Sequence, residues 1–87
     1  MSRRRNYHSE TIAVMERFYQ ALDELQSLGK VTINGYCTTH DIDKRHLYAQ
    51  RQDLGRGFFE VHWLIPLITE HNVSPSWLLL GKGKMFS

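Results

Sequence analysis

Between Ser9 and Gly29 the chain places Ile12, Met15, Tyr19, Leu22 and Leu25 at helical spacing, and Phe18 and Leu28 widen that stripe. A helix with one apolar face of this length must be covered by other parts of the chain, so the remaining residues are read as its cover. Ser9 is placed to cap its start, and Glu10 puts a negative charge in the first turn, where the helix dipole favours it. Gly29 followed by Lys30 marks its end. The chain has 87 residues, enough for one domain and too few for two, and 41% apolar residues support a small core.

The cover reads as four short helices. Thr32 caps a second helix that runs to about His40. Asn34 and Gly35 are weak helix formers, so this helix leans on packing through Ile33, Tyr36 and Cys37. A tight turn at His40-Asp41-Ile42-Asp43 follows, and Asp43 caps a third helix over residues 44–52. Leu47 points inward from it, and Lys44, Arg45, Tyr48 and Arg51 are spaced to lie outward on neighbouring turns. Asp53, Gly55 and Gly57 mark a loop, after which Phe58 and Phe59 return to the core. A fourth helix is expected from about Val61 to His71, where Pro66 imposes either a kink or a later start. Asn72 ends it. Ser74-Pro75 opens a last helix, Pro75 to Leu80, closed by Gly81, with Met85 and Phe86 folding back. The expected fold is all-α, a compact five-helix domain over residues 9–87, with residues 1–8 as a flexible basic arm.

Eleven Lys and Arg against nine Asp and Glu leave a net charge of only +2, so distribution matters more than the total. Arg3, Arg4 and Arg5 stand together, and Lys44, Arg45, Arg51 and Arg56 are answered locally only by Asp53. The first helix carries Glu10, Glu16, Asp23 and Glu24 against Arg17, which predicts a two-faced molecule whose basic side includes the helix pair. Cys37 is the single cysteine, which excludes an internal disulfide and suits a reducing compartment. With no signal-peptide pattern after the arginines and no apolar run of the roughly 20 residues needed to span a bilayer, the expected location is cytoplasmic.

Two short helices joined by a tight turn, the second one basic, form a pattern suited to placing one helix in the major groove of double-stranded DNA. Three stretches resemble the phage-repressor-like helix-turn-helix family (XRE, Cro/CI-like). One is the skeleton Tyr36-Cys37, Asp41-Ile42-Asp43 and Leu47. Another is Asn72-Val73-Ser74-Pro75-Ser76-Trp77-Leu78-Leu79, similar to the family's approach to its last helix. The third and most specific is Leu80-Gly81-Lys82-Gly83-Lys84-Met85-Phe86, which resembles the Gly-x-Gly-x-Met-Phe tail of short members. Asp41 stands where glycine is usual, and Gln50 where an apolar residue is usual, which predicts a shorter or differently seated third helix. The resemblance implies a lambda-repressor-like fold, sequence-specific binding to double-stranded DNA, transcriptional regulation (in the main repression) and a homodimer on a two-fold site. There is no room for a second, signal-sensing domain.

On that reading Arg45 pairs with a guanine edge, Lys44 meets a phosphate, and Tyr48 touches a thymine methyl or a phosphate. Thr32 and Asn34, at the start of the second helix, hold a phosphate in addition to the capping role of Thr32. Arg51 extends the basic face, and Arg3, Arg4 and Arg5 assist from the arm. His46 lies among these contacts and donates to DNA when protonated, whereas at ordinary pH it is read as a neutral surface or partly buried ring. Exposed parts of Trp77, Leu78, Leu79 and Phe86 are candidates for a dimer contact. The five histidines show no metal-ligand spacing, no cofactor motif is present, and no nucleophile sits beside a base, so neither a metal nor an enzymatic role is expected. The alternative is a protein-interaction module that keeps this fold without reading DNA.

Overall fold

The long helix forms where the periodicity places it, with a different cap. In the structure, a computed structural model that describes residues 6–87, α1 spans Ser9–Ser27. His8 is the N-cap in place of Ser9: its backbone is extended and its Nδ1 accepts from the Glu10 amide at 3.0 Å. The expected arm over 1–8 otherwise falls mostly outside the described residues. The far end is a Schellman turn, in which the Gly29 amide bonds to the Gln26 carbonyl and the Lys30 amide to that of Leu25, with Gly29 at φ 73°. That turn leaves Leu28 53% exposed, so it does not widen the apolar stripe.

The remaining helices are α2 (Ile33–Thr39), α3 (Lys44–Gln52), α4 (Ile65–His71) and α5 (Pro75–Leu80), with a 3₁₀ turn at Val61–Trp63. The fold is all-α, and one antiparallel bridge joins Val73 and Phe86. Thr32 caps α2 by accepting from the Gly35 amide at 3.0 Å. A Cβ at position 35 would lie 2.9 Å from the Thr32 Oγ1, so the weak helix former is what lets this cap close. Asp41 then takes a left-handed conformation at φ 57°, and the Ile42 amide returns to the Cys37 carbonyl at 2.9 Å. Asp is tolerated there because its short polar side chain costs less in this region than most. The turn buries Ile42 and delivers Asp43 to the start of α3.

Pro66 resolves as a late start. The chain makes the 3₁₀ turn first, and the proline sits in the first turn of α4, where no intrahelical amide is lost. Asn72, at φ 58°, ends α4. Ser74 caps α5 by accepting from the Trp77 amide at 3.3 Å. From α1, Arg17 donates through Nε to the Leu78 carbonyl at 2.8 Å and through Nη2 to that of Leu79 at 3.2 Å. It thereby satisfies acceptors that the end of α5 leaves open. The tail folds back as expected, with the Ser74 amide on the Met85 carbonyl at 2.8 Å and the Ser87 amide on that of Asn72 at 2.9 Å.

Phe18 is the hub of the core. Its ring lies 5.0 Å from Tyr19, 6.4 Å from Tyr36, 6.2 Å from Phe59 and 6.0 Å from Trp63, so one side chain of α1 joins α2, the loop and the 3₁₀ turn. Two phenols complete the ties. Tyr19 donates to the Leu47 carbonyl of α3 at 2.7 Å, and Tyr36 to the Trp63 carbonyl at 2.6 Å. Burial pushes both phenols far above their ordinary pKa, against a lowering influence of Arg51 on Tyr19, so both remain donors throughout the working pH range.

The third helix spans Lys44–Gln52, the range expected from the sequence. Gln50 is fully buried within it, donates from Nε2 to the Leu54 carbonyl at 2.9 Å and accepts at Oε1 from the Phe58 amide at 3.0 Å. Its Nε2 also lies 3.5 Å from the Met15 sulfur. An amide stands at an otherwise apolar position because the loop after α3 turns inward, and its backbone polar groups need partners there.

Gln50→Leu keeps the volume and removes the bridge, so each backbone group left unpaired should cost roughly 1–3 kcal/mol. A lowered urea midpoint checks this, and an unchanged midpoint would show that the bridge is dispensable. Burial also pushes the Cys37 thiol up, against the pull of Lys44. Cys37 should therefore resist alkylation at mildly alkaline pH in the folded protein and react freely in denaturant, as thiol counting by mass would show.

Candidate nucleic-acid interface

A nine-residue helix is too short to persist alone in water, so α3 depends on its attachments. Leu47 and Gln50 are its buried residues. The rest of the helix follows from rotation about the axis at about 100° per residue. Arg45 and Tyr48 fall opposite the buried pair and face outward. The Arg45 side chain is 90% exposed and the Tyr48 residue 44%. Lys44 and Arg51 share one flank of the helix, and His46 lies on the other.

The flank carrying Lys44 and Arg51 meets α2 and α1. Lys44 Nζ donates to Asn34 Oδ1 at 3.3 Å, so the starts of α2 and α3 come together as one polar junction, with Thr32 at its edge. Arg51 is placed differently from the sequence expectation. It pairs with Asp23 of α1, and its guanidinium lies over the Tyr19 ring, 5.5 Å from the centroid. The spacing that suggested one outward face of Lys44, Arg45, Tyr48 and Arg51 in fact divides it, because three further residues of rotation carry Arg51 around toward α1. Arg3, Arg4 and Arg5 lie outside the described residues.

Asp43 sets the electrostatics at the head of α3. Its Oδ1 accepts from the Arg45 amide at 2.9 Å and lies 3.7 Å from Arg45 Nε, and its Oδ2 lies 3.7 Å from His46 Nε2. Desolvation works against the charge, but the Arg45 and His46 amides together with the nearby His46 and Arg45 side chains hold the carboxyl below the ordinary carboxylate range. The cap is therefore ionised at neutral pH, and its contribution fades only as pH falls through that lowered value.

On the other flank the sequence pointed to His46 but not to its packing partner. The His46 ring lies flat against Phe58, with centroids 4.1 Å apart and planes 10° from parallel, and the Arg56 guanidinium lies 5.2 Å from the Phe58 ring centroid. Such a pairing between a helix and a loop has no periodicity, and only the inward turn of the loop, held by Gln50, creates it. Beside the α2 start there is also an open polar cleft of about 270 Å³, with Thr32, Tyr36, Thr39, His40, Glu70 and His71 among its lining residues. There His40 Nε2 is 3.5 Å from Glu70 Oε1. Among the described residues no group of three or more His, Cys, Asp or Glu is placed to hold a metal ion, and no helix is long and apolar enough to cross a membrane.

Comparisons with protein-family models, with curated proteins and with solved structures find no match.

The Arg51–Asp23 pair is half-exposed, so Arg51→Ala should lower stability by only about 0.2–1 kcal/mol. The same loss should appear in Asp23→Ala and fail to add in the double variant, measured by denaturant unfolding. Full additivity would show that the two side chains do not act as a pair.

Proposed function

We propose that this protein binds double-stranded DNA at specific sequences and regulates transcription, repression being the expected sense, with α3 in the major groove. The observation that carries the reading is the division of α3. Arg45 and Tyr48 project away from the core, while Lys44 is coupled to Asn34 at the point where α2 begins. A helix so mounted offers side chains to base edges from its outer face and a cation to the backbone from its flank. In this scheme Arg45 reads a guanine by paired donors to O6 and N7, and Tyr48 meets a thymine methyl or a phosphate one turn later. Lys44 and the Thr32–Asn34 end of α2 serve a phosphate, and Arg3, Arg4 and Arg5 add backbone contacts from the N-terminus. Arg51 is assigned to the attachment of α3 in this scheme.

A homodimer on a two-fold site is part of the proposal. Leu78 is buried, and Trp77 and Phe86 are packed against the core, which leaves Leu79 and Leu80 as the exposed apolar residues of α5. They line a groove with Glu10, Ala13, Arg17 and Lys82. A two-fold contact requires a self-complementary patch, and Glu10 and Lys82 supply opposite charges for one. The second reading, a protein-interaction module, draws its support from Asp43 beside Arg45 and from the modest net charge.

The deciding experiment titrates the protein against a pool of random-sequence duplexes at low and moderate salt and sequences the bound fraction. The expected outcome is enrichment of a palindrome, with affinity falling steeply as salt rises. Arg45→Ala should relax preference at one position by about 1–3 kcal/mol without unfolding the chain. Unenriched binding would indicate a non-specific binder, and no binding at low salt would favour the interaction module.

A further inference from the structure

We infer that His46, held flat against Phe58, is a proton-dependent phosphate contact on the side of α3 opposite Lys44. The inference rests on the DNA-binding reading and adds to it a residue and a regulation. At about 100° per residue, Lys44 and His46 stand about 200° apart around the axis, with Arg45 midway between them on the outer face. A helix lying in the major groove runs between two sugar-phosphate walls about 12 Å apart. With Arg45 toward the base edges, Lys44 faces one wall and His46 the other. The two flanks are anchored by unlike means: Lys44 by Asn34 of α2, and His46 by a ring of the loop after α3.

Phe58 is the positioning residue. Its amide is held by Gln50 Oε1 at 3.0 Å, so the loop cannot withdraw from the helix without breaking this part-buried hydrogen bond. The His46 ring is thus fixed against one face of Phe58, yet its side chain stays 46% exposed, so its edge is open to a ligand. Charged groups of both signs lie around it. At the cap of α3 the Asp43 carboxylate lies 3.7 Å from His46 Nε2, and Lys44 and Arg45 follow in the first turn. From the loop, the Arg56 guanidinium lies over the Phe58 ring. A phosphate drawn to this flank adds a further negative charge and tips the balance toward the protonated ring. Binding therefore takes up a proton. The gain in affinity is present at pH values where the ring is charged in the complex and is lost as pH rises beyond them.

The test measures the affinity of the full chain for a labelled random-sequence duplex across a salt series at about pH 5.5 and about pH 8, on either side of the ordinary histidine value. One additional neutralised phosphate steepens the slope of log K against log salt by about 0.9, so the parent should be steeper by that amount at the lower pH. At low salt it should also bind on the order of tenfold more tightly there. His46→Gln should show the shallow slope at both pH values, and His46→Arg, which carries its charge permanently, the steep slope at both. His40→Gln should behave as the parent. A parent slope that does not change with pH overturns the inference, as does a pH-dependent slope that survives in His46→Gln. Absence of binding at either pH, even at low salt, overturns the DNA reading itself and this inference with it.

Discussion

The buried amide of Gln50 is the interaction on which the arrangement of α3 and the loop after it depends. Without it the loop after α3 would have inward-facing backbone groups with no partner, and no polar reason to lie against the helix. With it, one side chain satisfies a carbonyl and an amide four and eight residues downstream and holds Phe58 where His46 can stack on it. The same residue lies against Met15 of α1, so the helix, the loop and the core are joined at one point. A leucine there could fill the space but could satisfy neither backbone group.

Around that point the fold uses a repeated device, in which a buried aromatic carries a polar tip to a carbonyl of another element. Tyr19 reaches α3 and Tyr36 reaches the 3₁₀ turn, while Arg17 does the same for the end of α5. Short helices leave many unpaired carbonyls and have little apolar area with which to offset them. Side chains from α1 and α2 supply both at once: ring or stem for packing, and a donor for the open end. This is how the described residues hold four short helices around one long one.

The mounting of α3 also explains the sorting of its charges. Its basic residues were expected to share one face, but rotation at about 100° per residue puts Lys44 and Arg51 on one flank, near opposite ends of the helix, and Arg45 on the outer face. Arg51 is turned toward the acidic flank of α1 and becomes an attachment. Lys44 reaches α2. Arg45 alone is extended almost fully into solvent, with the Asp43 carboxylate close to its base. The acid that caps the helix thus also tempers the cation nearest to it, and the charge of this region is more finely divided than a tally of Lys and Arg suggests.

Local chemistry made much of this legible in the sequence. The stripe on α1, the Thr32, Asp43 and Ser74 caps, the left-handed positions at Gly29, Asp41 and Gly81, and the last helix all depend on residues within a few positions of one another, where periodicity and capping rules apply. Of the proposed contacts, Lys44, Arg45 and Tyr48 were visible for the same reason, and the structure adds the meeting of Lys44 with Asn34. What only the tertiary structure decided are pairings between distant positions: Gln50 with Phe58, His46 with Phe58, Arg51 with Asp23, and the choice of a late start at Pro66. Such pairings have no period in the sequence. They exist because packing brings together groups that must satisfy one another once water is excluded, and that requirement acts through space, not along the chain.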